Sequence, residues 1–101
     1  MLKKNDYSYI FKVLSDDTRL KIIDMLSSEE LCACHILEDF DITQPTLSYH
    51  MKMLVESGLV SSKKDGNWTR YSLNDQVFED LQDFFRIKDP KKRTVRQIEN
   101  C

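Results

Sequence analysis

Glycine and proline are scarce, with two of each in 101 residues. That leaves little for the many tight turns of an all-β fold, and long stretches free of breakers favour helix. Long apolar runs are missing too. No window approaches the roughly 18 uninterrupted apolar residues of a membrane span, and Met1 to Asp6 is polar, without the apolar run of a signal peptide. A cytoplasmic protein with no membrane partner is expected. Cysteine is limited to Cys32, Cys34 and Cys101. An odd count in a chain lacking an export signal argues against a disulfide framework and for reduced thiols, available for ligation, redox sensing or burial. Charge of one sign does not dominate either. A net charge of −2 argues against a generally basic nucleic-acid binder.

What is present suits one small folded domain: 41% hydrophobic residues, 32% charged residues and 10% aromatics. The net charge hides a gradient. Residues 1–41 carry five Lys/Arg against nine Asp/Glu, residues 42–73 four against two, and residues 74–101 six against six. The middle is therefore the basic part. Arg86 to Arg96 holds six basic residues against one Asp. We divide the chain into a domain over 1–88 and a basic tail over 89–101, read either as a solvated segment or as a contact to DNA backbone.

Tyr7, Ile10, Phe11 and Leu14 follow the spacing of one helix face, which predicts a helix over about 5–14. Leu20, Ile22, Ile23 and Leu26 predict a second over about 16–26, opened by Ser15-Asp16. Ser27 and Glu30 have capping-box spacing and predict a third helix, carrying Leu31, Cys34 and Leu37 or Ile36 and ending near Asp39. After Phe40-Asp41-Ile42, Thr43 caps a fourth, with Leu47, Met51 and Leu54 on its buried side and Gly58 as its stop. The period then changes from 3.6 to 2. Two runs over 59–64 and 68–73 flank Asp65-Gly66, a β-hairpin signal. Asn74 caps a fifth helix with Val77, Phe78, Leu81, Phe84 and Phe85 on one stripe.

A helix pair with a short turn, followed by a charged hairpin, is a winged helix-turn-helix: mainly α, five helices plus a two-stranded wing. Three segments carry a resemblance: Glu30-Leu31-Cys32-Ala33-Cys34; Ile42 through Lys52; and Gly58-Leu59-Val60 with Lys64-Asp65-Gly66-Asn67-Trp68. Over roughly residues 9–85 the chain resembles the ArsR/SmtB family of metalloregulatory repressors, and within it the arsenical-resistance operon repressors. The resemblance implies double-stranded operator DNA as partner, no enzymatic activity and no organic cofactor.

With Leu47, Met51 and Leu54 buried, Thr46, Tyr49, Lys52 and Met53 should face outward. The N-terminal half of such a helix enters the major groove, which makes Gln44, Thr46, Ser48 and Tyr49 candidates for base edges or phosphates, with Lys52 beside them. His50 lies at the buried edge, where phosphate contact, orientation of the recognition helix and simple burial all remain open. In the wing, Lys63, Lys64 and Arg70 should meet phosphates or the minor groove, and Trp68 should cover the base of the hairpin.

Cys32 and Cys34 are the sharpest chemistry. The first turn of a helix favours thiolate, the form that binds soft metals and metalloids, although Glu29 and Glu30 oppose this locally. On a regular helix, residues i and i+2 point about 200° apart, with Cβ atoms roughly 7 Å from each other. Two sulfurs sharing one ion must come within roughly 3.8 Å, so binding is expected to unwind the start of the third helix. The resemblance narrows the ion. The fifth helix has no His and residues 1–31 have no Cys, so the zinc site and the N-terminal thiolates of other branches of the family are missing. As(III) or Sb(III) is the expected inducer. The third Cys of several arsenical repressors is Leu37 here, which leaves Cys101 as a third ligand or as a free thiol; His35 is read as an exposed neighbour of Cys34, with ligation as the lesser alternative.

Tyr7, Ile10, Phe11 and Leu14 in the first helix, with Phe78, Leu81, Phe84 and Phe85 in the last, exceed what one small core needs. They predict a homodimer through these two helices and a palindromic operator. Two other signals stay open: an oxidant acting on the thiols, or another soft ion such as Cd(II). A thiol enzyme would need a Cys in a loop beside an anion site, which a CxC within a helix does not supply.

Overall fold

In the computed structural model, residues 4–86 and 90–96 are described. Their order is α1 (Lys4–Leu14), α2 (Asp17–Leu26), β1 (Leu31–Cys32), α3 (Ala33–Leu37), α4 (Gln44–Glu56), β2 (Val60–Asp65), β3 (Trp68–Leu73) and α5 (Asp75–Phe84), with a 3-10 turn at Pro90–Lys92. The winged helix-turn-helix expected from the sequence is the fold observed. Each long helix after the first begins on a side chain that accepts from a free backbone N–H of the first turn. Asp16 accepts from Arg19, Thr43 from Thr46 and Asn74 from Val77. Pro45 sits in the first turn of α4, where its missing N–H costs nothing. Ile10, Val13, Ile22, Ile36, Leu47, Leu54 and Leu59 form the centre of the core.

Several expectations are corrected. The Ser27–Glu30 capping box does not open a helix: Ser27 is the C-cap of α2, and α3 is five residues long, starting only at Ala33. Leu31 and Cys32 are a strand instead, pairing antiparallel with β3 so that Leu31 faces Tyr71 and Cys32 faces Arg70. The wing is thus a three-stranded sheet in the order β1-β3-β2. The free edge of β3 offers unpaired backbone groups, and Leu31 and Tyr71 are both half-buried against the core, so pairing there satisfies hydrogen bonds and side chains together.

Because α3 is short, the connection to α4 runs over residues 38–43 rather than three residues. Lys21 Nζ spans it, donating to the Asp39 carbonyl at 2.9 Å and lying 4.7 Å from the centre of the Phe40 ring. The hairpin loop is Gly66-Asn67, one residue beyond the expected Asp65-Gly66, since Asp65 pairs with Trp68. Gly66 supplies the positive φ of +64° that a two-residue loop of the II′ kind needs at its first position.

Candidate nucleic-acid interface and thiol site

Helix α4 turns Leu47, Met51 and Leu54 into the core, which leaves Gln44, Thr46, Ser48, Tyr49 and Lys52 exposed along one accessible surface. Met53, expected outside, is half-buried against the core. Lys63, Lys64 and Arg70 are exposed on the wing. Arg70 is not free there: its guanidinium lies 2.7 Å from the Asp65 carboxylate, across the hairpin.

His50 departs from the exposed row. Its side chain is only 12% exposed, and Nδ1 accepts a 3.1 Å hydrogen bond from Arg19 Nε, with Asp16 at 3.9 Å. An accepting Nδ1 leaves the ring proton on Nε2. Arg19 also donates to the Val13 carbonyl at 3.1 Å and lies 5.8 Å from the centre of the Tyr49 ring. The N-terminus of α2 is therefore fastened to the middle of the recognition helix by a residue the sequence did not single out. Nothing in the spacing of Arg19 marks it, because its partner is 31 positions away.

The thiol site differs from the helical geometry expected. Cys32 is extended, with φ −85° and ψ 160°, and serves as the N-cap position of α3. This bend brings Cys34 Sγ to 3.5 Å from Cys32 Sγ without any unwinding. His35 is exposed, as expected, and the same bend adds a contact the sequence did not show. It is the third residue of α3, from which a side chain folds back over the N-cap, and Nδ1 comes within 3.1 Å of Cys32 Sγ. The donor atoms of Cys32, Cys34 and His35 all lie within 4.8 Å of one another.

The first turn of α3 does not lower the Cys34 pKa. Its hydrogen bond to Cys32 pushes its pKa up, slight desolvation and the charge of Cys32 add to this, and backbone N–H groups only partly oppose it. A five-residue helix supplies little dipole to counter that.

Two clefts flank the thiols. One, of about 290 Å³, is lined by Cys32, Cys34 and His35 together with Asp65, Trp68 and Arg70 of the wing. The other, of about 220 Å³, runs from Ala33, Cys34 and Leu37 to Gln44, Leu47 and Ser48 of α4. The thiols thus adjoin both the wing and α4. Cys101 lies outside the described residues.

Of the expected dimer residues, Ile10 and Leu81 are in the chain's own core, at 1% and 7% exposure, because α1 and α5 pack these positions inward. Tyr7, Phe11, Phe84 and Phe85 form an aromatic cluster above them, with ring centres 4.5 Å apart for Tyr7–Phe84 and 5.6 Å for Phe11–Phe85. Phe84 and Phe85 are exposed, and Leu14 and Phe78 are half-buried.

A recognition helix set between a helical scaffold and a basic wing defines a winged helix-turn-helix DNA-binding protein. Residues 16–62 match the family described as "Bacterial regulatory protein, arsR family". The chain is 53% identical over 76 residues to the "Arsenical resistance operon repressor" of Staphylococcus aureus, covering 75% of this chain and 73% of that protein. Two solved structures share the fold. One, of a "Possible transcriptional regulator for arsenical resistance", is 30% identical with a TM-score of 0.68, covering 73% of this chain and 77% of the other. The other, the homodimeric winged helix-turn-helix domain of a possible ArsR-family regulator from Mycobacterium bovis, is 23% identical with a TM-score of 0.67, covering 79% and 78%. The chain belongs to the ArsR family and is a transcriptional repressor, not an enzyme. Among the described residues no helix is long and apolar enough to cross a membrane.

Proposed function

We propose that this repressor binds an imperfect palindromic operator as a homodimer and leaves it when As(III) or Sb(III) binds Cys32 and Cys34. The observation that carries the reading is the 3.5 Å approach of the two sulfurs at a junction touching both wing and recognition helix. Arsenous acid exchanges two hydroxyls for the two thiols: two As–S bonds form, each thiol proton leaves on a hydroxyl as water, and one oxygen ligand stays. Cys101 is a candidate to replace that oxygen as a third thiolate. The bound metalloid occupies the cleft beside Asp65, Trp68 and Arg70, so the signal passes into the wing through β1 and β3. Gln44, Thr46, Ser48 and Tyr49 read the groove, while Lys52, Lys63, Lys64 and Arg70 meet phosphates. His50, held by Arg19, orients the recognition helix. The aromatic cluster on α1 and α5 forms the dimer face, supported by the homodimeric M. bovis domain of the same fold.

A second reading is favoured by the same distance. Sulfurs at 3.5 Å are poised for oxidation, in which peroxide takes two electrons, a disulfide forms and two waters leave. Fluorescence anisotropy of a duplex selected by the protein from a random pool separates the two. Arsenite should release the reduced wild type and the Cys101→Ser variant, but neither Cys32→Ser nor Cys34→Ser. Release by peroxide with indifference to arsenite would establish the oxidant reading instead.

A further inference from the structure

We propose that the cleft between α3 and the recognition helix α4 is a binding site for a small neutral ligand of the phenol class. The cleft has a volume of about 220 Å³ and is built by three elements, α3, α4 and β3. Positions 44, 47, 48 and 51 recur at i, i+3, i+4 and i+7 and so share one face of α4. Leu37 of α3 and Tyr71 of β3 close the other sides, and the small side chain of Ala33 leaves the space between them unfilled.

Size and lining select the ligand. An apolar cavity of about 150 Å³ takes one benzene ring. A volume of about 220 Å³ therefore holds such a ring with a small alkyl group and one polar head. Leu47 and Met51 are both 2% exposed and, with Leu37, make an apolar floor for the ring. Gln44, Ser48 and Tyr71 make the rim polar, and none of these three side chains has a hydrogen-bond partner among the described residues. Partial burial also raises the Tyr71 pKa. A hydroxyl partly removed from water and left without a partner is a donor lacking its acceptor, which a phenolic oxygen supplies. Among the described residues, no side chain lining the cleft is charged at neutral pH. A carboxylate or an ammonium would lose water there and gain no counter-charge, so the ligand is neutral.

The polar rim ties this ligand to DNA. Gln44 and Ser48 are exposed at the edge of the buried stripe of α4, bordering the cleft on one side and the recognition surface on the other. A ligand that engages them withdraws both from the groove, and by linkage ligand and operator weaken each other's binding by the same factor. That competition rests on the reading of Gln44 and Ser48 as groove readers, whereas the site rests on the cleft alone. Cys34 borders the cleft, but its thiol is not required, which separates this ligand from the inducer of the thiol pair.

The test titrates the reduced full-length protein with p-cresol up to about 5 mM, a range within reach of a ligand of this size, and with benzoate as a charged ring of similar dimensions. Methyl NMR locates the ligand, anisotropy of the operator duplex follows DNA binding, and circular dichroism checks the fold of each variant. The expected result is p-cresol shifts centred on the methyls of Leu37, Leu47 and Met51, none with benzoate, and at least about a fivefold loss of operator affinity at saturation. Tyr71→Phe removes a single hydroxyl and should weaken p-cresol at least about threefold while keeping the operator affinity of the ligand-free protein. Leu37→Trp fills the cleft and should abolish the shifts, and Cys34→Ser should preserve them. Shifts that are absent or scattered over the molecule, equal binding of benzoate, or wild-type p-cresol affinity in Tyr71→Phe or Leu37→Trp overturns the proposal. Loss of p-cresol binding in a folded Cys34→Ser variant also overturns it, since the ligand would then belong to the thiol pair. p-Cresol that binds the cleft without changing operator affinity supports the site and overturns Gln44 and Ser48 as groove readers.

Discussion

Cys32 stands directly opposite Arg70 in the antiparallel register of β1 and β3. The first thiol of the Cys32–Cys34 pair and a basic side chain of the wing thus share one rung of a ladder. A ligand on Cys32 has no intervening helix to distort before it meets the wing. The Arg70–Asp65 ion pair is exposed on both sides, and such pairs hold typically under about 1 kcal/mol. Arg70 can therefore exchange Asp65 for a phosphate at small cost.

Replacing Arg70 by Ala is expected to weaken operator binding several-fold regardless of sequence. The slope of log affinity against log salt should fall by about one unit for each subunit's lost contact. Anisotropy titrations at a series of salt concentrations measure both. An unchanged slope would show that Arg70 does not meet the backbone.

Trp68 gives the site an internal reporter. It is the sole tryptophan, is 61% exposed, and lines the cleft that holds both thiols. Arsenite is expected to change its fluorescence in the wild type and to leave it constant in a Cys32→Ser, Cys34→Ser double variant. A response that survives loss of both thiols would place the ligand elsewhere.

His50 should matter for DNA binding without touching the sensor. His50→Leu removes the acceptor for Arg19 Nε in a half-buried setting, at a cost of about 1–2 kcal/mol in stability. Operator affinity should drop because α4 loses its tie to α2, while arsenite affinity stays at the wild-type value. Thermal unfolding, operator titration and arsenite titration together distinguish this from general unfolding, which would impair all three.

The long helices, their caps and the basic wing are legible in the sequence because each rests on local patterns: apolar spacing, an N-cap side chain, a Gly in a two-residue loop. The Cys32–Cys34 pair is plain in the sequence, but the shape of its surroundings is not. Leu31 and Cys32 read as helix from Ser27 and Glu30, and only the unpaired edge of β3, about 40 residues further on, turns them into strand. That pairing reverses the geometric conclusion, since the sulfurs meet because the backbone is extended at Cys32. The contact of His35 with Cys32 is hidden for the same reason: on a continuous helix His35 points away from Cys34, whereas at the start of a new helix it folds back over Cys32. Arg19 is invisible because its role comes entirely from tertiary proximity.

Acid should weaken cation uptake. The hydrogen bond from Cys34 to Cys32, with slight desolvation and the neighbouring charge, raises the Cys34 pKa, so this thiol keeps its proton through neutral pH. A cation must displace that proton, and its affinity accordingly rises as pH climbs toward the thiol range and falls as pH drops. Cd(II) titrations between about pH 6 and pH 8 should show up to about a tenfold gain per pH unit for each proton displaced. Cys34→Ser should flatten the dependence. A pH-independent affinity in the wild type would mean that both thiols are already ionised.

The aromatic cluster supplies the last prediction. Phe84 and Phe85 are 50% and 61% exposed, yet they meet each other edge to face and lie tilted against Phe11, with ring centres 5.2 to 5.6 Å apart. Two large rings left in water, next to half-buried Leu14 and Phe78, make an apolar patch that a second copy can cover by two-fold symmetry. Phe85→Asp places a charge in that patch while leaving Ile10, Val13 and Leu81 beneath it untouched. The variant is expected to remain folded, to sediment as a monomer, and to lose at least about tenfold in affinity for a palindromic duplex while approaching wild-type binding to a half-site. Analytical ultracentrifugation paired with half-site and full-site titrations provides the check. If Phe85→Asp stays dimeric and binds the palindrome normally, the two-fold axis lies elsewhere on the molecule and the spacing of the two recognition helices must be derived from a different face.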